Sequence, residues 1–188
     1  MIKIPRKLRS TLRLGIVLLL GLAAAAAFSN SLPMRKAPAR ELSGRPCSAP
    51  EYAQFNFWIG DWDAFDIGGT APVAQAKIDR LLDGCVLREQ YNGADGHHGE
   101  SLSIYDASRK VWHQSWFTNR GELLVIEGTW QDGKMTLLGT DRTDSGQKRI
   151  VRGIWKPEAN NVRETAATSI DDGKTWQPWF DLIFRPRK

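Results

Sequence analysis

Glu100-Ser101-Leu102-Ser103-Ile104-Tyr105-Asp106 and Val111-Trp112-His113-Gln114-Ser115-Trp116-Phe117-Thr118 flank the four residues Ala107-Ser108-Arg109-Lys110. Both flanks alternate in side-chain character with a period of two, and the connection between them is short and polar, so the stretch reads as a β-hairpin. With Asp106 paired to Val111, Tyr105 faces Trp112, Ser103 faces Gln114 and Ser101 faces Trp116, all on one side of the sheet. Leu102, Ile104, His113 and Ser115 fall on the other side.

The same texture runs outward in both directions, with turn signals about every 12 or 13 residues. Strands are expected over Ile59 to Phe65, Ala74 to Leu82, Val86 to Tyr91, Glu100 to Tyr105, Val111 to Thr118, Leu123 to Trp130, Lys134 to Thr140, Lys148 to Lys156, Val162 to Ser169 and Trp176 to Arg185. Asn119-Arg120-Gly121, Asp132-Gly133, Asp144-Ser145-Gly146, Asn160-Asn161 and Asp171-Asp172-Gly173 supply residues tolerant of positive φ between them. Short connections join antiparallel neighbours, and a meander of about ten strands escapes exposed edges by closing on itself. The fold class expected is therefore all-β: a single antiparallel up-and-down barrel.

Strand parity then proposes an interior. If the preceding hairpin pairs Tyr91 with Ser101, Glu89 meets Ser103. One side of the sheet then gathers Glu89, Tyr91, Ser101, Ser103, Gln114 and Trp116. Aromatic walls with a few convergent polar groups suit a small, partly apolar ligand. A hydrolase or isomerase using polar groups of the same cup, such as Glu89 with Tyr91, is the alternative. A third option is a solidly packed barrel acting as an interaction module.

The chain has 188 residues and a formal charge of +5, from 26 Lys and Arg against 21 Asp and Glu. Lys3, Arg6, Lys7, Arg9 and Arg13 all precede an apolar run, Leu14 to Phe28, and no acid occurs in residues 1–27. Without that segment the protein is formally neutral, which removes the electrostatic argument for a nucleic-acid partner. A basic flank, an apolar run of 15 residues and Ala25-Ala26-Ala27 have the three parts of a secretory signal peptide, residues 1–27. The run is too short to be a comfortable membrane span. Residues 28–50 carry Pro33, Pro38, Pro46 and Pro50 without hydrophobic periodicity and read as a linker before a barrel domain over residues 51–188. The expected location is the periplasm or outside the cell. No span remains after cleavage, and the oligomeric state is left open.

Cys47 and Cys85 both lie in the exported part, where thiols oxidise. A bridge between them is preferred to two independent buried thiols, and it would close a loop of roughly 40 residues.

Phe55-Asn56-Phe57-Trp58-Ile59-Gly60-Asp61-Trp62-Asp63 carries Gly60-x-Trp62 where the first strand begins. This resembles the G-x-W entry of the calycins, the group of lipocalins and fatty-acid-binding proteins. Asp83-Gly84-Cys85, the W-x-Q-x-W of Trp112, Gln114 and Trp116, and Arg185 in the last strand extend the likeness. Together these look like a family of small secreted bacterial proteins of unknown function. The resemblance implies that Trp62 packs across the barrel base with Arg185 covering it. Ser169-x-Asp171-x-Gly173-x-Thr175-Trp176 is similar to the Asp-box, a turn capped by Asp171 that needs Gly173 and over which Trp176 folds. Ten-stranded nitrobindins bind haem through a histidine late in the chain. Here His97, His98 and His113 all come earlier, so no haem or other cofactor is assigned.

Asp95, His97, His98 and Glu100 crowd a glycine-rich loop, a pattern that suits a metal set or a solvated loop; no metal is assigned. Asp61 and Asp63 share a face two residues apart and are read as outward polar positions. Ser101 lacks the second glycine of a nucleophile elbow, and no H-E-x-x-H, phosphate-binding loop or dinucleotide fingerprint occurs. No catalytic residue is assigned.

Overall fold

The computed structural model describes residues 45–188; the expected signal peptide and most of the linker lie outside them. Ten strands follow in order: β1 (Gly60–Asp66), β2 (Ala74–Leu81), β3 (Val86–Gly93), β4 (His98–Asp106), β5 (Val111–Thr118), β6 (Leu123–Gln131), β7 (Lys134–Arg142), β8 (Lys148–Glu158), β9 (Asn161–Ser169) and β10 (Gln177–Pro186). Each pairs antiparallel with its sequence neighbours, and β1 closes on β10 from Trp62↔Pro186 to Asp66↔Leu182, giving a closed up-and-down barrel. No helix among the described residues is long and apolar enough to cross a membrane.

Local chemistry sets the hairpins. Between β4 and β5, Asp106 Oδ1 accepts the Ser108 amide at 2.9 Å and its hydroxyl at 2.6 Å, and Lys110 takes a φ of 57°. The resulting ladder pairs Asp106 with Val111 and Ser101 with Trp116, the expected register. Asp132 and Gly133, at φ 50° and 72°, make the two-residue turn between β6 and β7 that matches strand twist.

The hairpin between β3 and β4 differs from expectation by two residues. Gly93 N donates to His97 O at 2.7 Å and Asp95 Oδ1 accepts His97 N at 3.0 Å, so the ladder continues further into the loop. Glu89 therefore pairs with Ser101 rather than Ser103, and Tyr91 with Gly99. A shift of two keeps every side chain on its face, whereas a shift of one would have reversed them.

The N-terminal approach forms the barrel's floor, a feature absent from the sequence expectations. Two short 3-10 turns, Pro50–Ala53 and Asn56–Trp58, carry Phe55 and Trp58 fully into the interior. Phe55 stacks on Trp58 at 5.2 Å and meets Trp112 and Trp155 edge-on, each at 5.6 Å. Burying each of these rings contributes about 2 to 3 kcal/mol before ordering costs. Polar fasteners fix the segment: Trp62 Nε1 donates to Trp58 O at 2.9 Å, and Trp112 Nε1 donates to Gln54 Oε1 at 3.1 Å. The Arg80 guanidinium reaches Asn56 and Gly84 O. Cys47 and Cys85 are joined in a disulfide, which ties the chain just before the floor to the start of β3.

Trp62 is buried in this floor as the G-x-W resemblance implies, with its indole against Gly60. Arg185 does not cover it. Adjacent positions of a strand point to opposite faces, and Arg185 lies outward beside Phe184, which points in; its guanidinium sits 4.2 Å over the outward ring of Phe65. Trp176 precedes β10 rather than starting it, and stays outside under Arg152 at 4.1 Å.

Candidate functional site: the barrel lumen

Inward positions follow directly from the ladders. Above the aromatic floor they include Glu89 and Tyr91 on β3, Ser101 and Ser103 on β4, Gln114 and Trp116 on β5, and Glu164 on β9, which shares the face of buried Val162 and Ala166. The first six are those that parity grouped; the closed barrel brings Glu164 to join them.

The deepest polar groups are dry and paired. Glu89 is 6% exposed, Ser101 0%, Ser103 1% and Gln114 3%. Ser101 Oγ donates to Glu89 Oε2 at 3.0 Å, and Gln114 Nε2 donates to Ser103 Oγ at 3.0 Å. Toward the opposite end the same face is only half-buried: Tyr91, Trp116, Leu124 and Leu182 keep contact with solvent. Tyr91 and Trp116 meet edge to face at 5.9 Å, and the His97 ring stands over both at 6.2 and 6.3 Å. The Trp116 indole occupies the space above Gly99, where an added Cβ would come within 2.5 Å of the ring. Small residues widen the wall on the other side: Ala64, Ala74, Ala76 and Ala166 all face inward and are buried.

Electrostatics sets this lumen apart from the outer wall. Burial pushes the Glu89 carboxyl up to about 7, against the pull of the Ser101 hydrogen bond. Glu164 is raised well above the carboxylate range, first by burial and then by the charge of Glu89; the Trp155 indole N–H works the other way, although it lies outside hydrogen-bond geometry. Glu164 itself is half-buried. The two acids titrate as a pair. Burial pushes the Tyr91 phenol up to about 12, and the charges of Glu164, Glu89, Asp95 and Asp66 add to the shift.

Outside the lumen Asp79, Asp95, Asp106, Glu127 and Asp171 are held low by hydrogen bonds from cations, hydroxyls and backbone amides. Hydrogen bonds from Arg109 and then His113 hold Glu127 at about 2. In the Asp-box turn, Asp171 Oδ1 accepts the Thr175 amide at 2.9 Å and the Ser169 hydroxyl at 2.7 Å, and Gly173 sits at φ 84°. That turn is structural and stands apart from the lumen.

The loop candidates disperse. Asp95 binds Arg120 at 2.8 Å, His97 Nε2 lies 3.3 Å from Glu122, and His98 is exposed. Asp61 is exposed, and Asp63, on the same outward face, is half-buried. A depression of about 340 Å³ at the ends of β3, β4 and β5 touches Tyr91 and Gly99, but outward residues such as Gln90, Glu100 and Phe117 line most of it. It belongs to the outer wall.

The chain matches no protein-family model, and no curated protein is similar to it.

Glu164 and the Phe55-Trp58 floor are the parts of the site missing from the sequence expectations. Glu164 was within reach of parity, since it alternates with Val162 and Ala166. The floor had no such signal, because a 3-10 segment has neither strand nor helix periodicity.

Proposed function

We propose that this protein is a secreted binding protein whose lumen takes a small, partly apolar molecule. The observation that carries the reading is the graded interior. A sealed aromatic floor lies under the buried polar quartet of Glu89, Ser101, Ser103 and Gln114, and half-buried Tyr91 and Trp116 flank the way in. Buried hydroxyl, amide and carboxyl groups on a barrel's inner face orient a ligand, while aromatic side chains remove its apolar part from water. The calycin-like G-x-W entry agrees with a carrier, although fold alone does not decide function. Export is supported by the signal-like segment, residues 1–27, and by the Cys47–Cys85 disulfide, which suits an oxidising compartment. An intact mass beginning near Phe28 would fit cleavage; a mass retaining residues 1–27 would refute it.

A second reading has one observation behind it. Glu89, held near neutrality beside Tyr91, has the proton affinity of a general acid or base. A hydrolase or isomerase acting on the same ligand would use it.

Titration with phenylnaphthylamine, an uncharged fluorescent probe, tests the binding reading. Enhancement that saturates in the native protein and weakens about tenfold or more in a folded Gln114→Leu/Trp116→Ala variant supports it. No binding, or unchanged affinity in the variant, removes this face as the site.

A further inference from the structure

Among the described residues the acids of the lumen have no counterion. Glu89 and Glu164 reach it from β3 and β9, and the charges of both bear on the Tyr91 phenol, together with those of Asp66 and Asp95 at the mouth. The two basic residues that the ladders place on the inner face stand at its ends. Arg80 is spent on the floor segment, at Asn56 and Gly84. Arg149 is held at the rim by Asp141, Nε to Oδ1 at 2.8 Å, and by the ring of Trp179 at 5.1 Å. Among the described residues no cation of the protein's own meets Glu89 or Glu164.

A second feature marks the same place. Trp155 is only 3% exposed and its indole Nε1 is buried without a hydrogen-bond partner, directly across the β8–β9 ladder from Glu164. An unmet buried donor beside a carboxyl is costly, and a Glu164 oxygen turned to accept from it would remove that cost, most strongly when ionised. A positive charge between Glu89 and Glu164 would favour the ionised form of both.

We propose that the ligand of this lumen is an organic cation: an ammonium group placed between Glu89 and Glu164, joined to an apolar body that rests against Tyr91 and Trp116. The inference rests on the reading of the lumen as a ligand cup. Ser101 holds one oxygen of Glu89 in place and leaves the other, with Glu164, to accept from the ammonium. Tyr91 and Trp116 offer ring faces and edges that suit a cation carrying an aromatic or alkyl group.

Three probes that share one ring system and differ in charge test this at neutral pH: naphthylmethylammonium, naphthylmethanol and naphthoate. Tryptophan fluorescence of the native protein should show the ammonium binding at least about tenfold more tightly than the alcohol, with the anion weakest. Glu89→Gln and Glu164→Gln, which keep side-chain size, should each reduce that preference while leaving the alcohol's affinity within about threefold. Equal affinities, or tighter binding of naphthoate, overturn the cation assignment in the native protein whether or not the variants fold. If phenylnaphthylamine binds without any preference for the ammonium, only this inference fails. If all four probes fail to bind, the cup itself is refuted and the inference with it.

Discussion

Ser101 stands directly opposite Glu89 in the β3–β4 ladder and gives its hydroxyl proton to Oε2 at 3.0 Å, with both residues closed off from bulk water. One neutral donor offsets part of the cost of a buried carboxylate, and burial still dominates. The folded protein therefore holds this proton more tightly than the unfolded chain does.

Stability should reflect that difference. The Glu89 carboxyl rises from 4.5 to about 7 on folding, so its favourable contribution is complete below the lower value and lost as pH rises through the upper one. Glu164 acts in the same direction, and Tyr91 remains protonated throughout. Between about pH 5 and about pH 8 the native protein should lose on the order of 3 kcal/mol through Glu89. Glu89→Gln should flatten that decline. Asp171 and Glu127, held low, favour folding at higher pH in both proteins and cancel in the comparison. Urea unfolding of the two proteins at both pH values measures it; parallel pH profiles would refute the account.

Gly99 and Trp116 occupy one space at the mouth. A methyl group at residue 99 would come within 2.5 Å of the indole. Gly99→Ala should displace the ring, cost about 1 to 3 kcal/mol and shift tryptophan emission. An unchanged midpoint and spectrum would show that the indole does not lie there.

The Cys47–Cys85 bridge spans a sequence separation of 38 and anchors the chain entering the floor. Loop-closure entropy predicts a loss of about 4 kcal/mol when both are replaced by serine. Thermal unfolding with and without reductant provides the check. Equal midpoints under the two conditions would mean that the bridge does not stabilise the fold.

Phe55→Ala should open a cavity among Trp58, Trp112 and Trp155 at a cost of about 3 to 5 kcal/mol, since the surrounding strands limit collapse of the site. Gln54→Ala removes only the acceptor for Trp112 Nε1 and should cost about 1 kcal/mol or slightly more. A Phe55→Ala protein as stable as the parent would mean that the floor segment adds little to the fold.

Much of the barrel is legible in the chain because its information is local. The period of two assigns Ser101, Ser103 and Gln114 to one face and Leu102, Ile104 and His113 to the other, and the Asp106 turn sets which residues pair. Uninterrupted antiparallel hairpins also imply closure, since an open meander would leave two bare edges.

Other features depend on contacts between distant parts of the chain. The β3–β4 register moved by two because backbone and Asp95 hydrogen bonds tightened the loop at His97, an energy difference that alternation cannot detect. Arg185 and Trp62 belong to different faces once β10 pairs with β1. Strand alternation in residues 86–93 and 161–169 establishes that Glu89 and Glu164 each share a face with apolar neighbours, and nothing more. Closure of the sheet brings those two faces into one lumen, where low dielectric and mutual repulsion make two ordinary glutamates hold their protons more tightly.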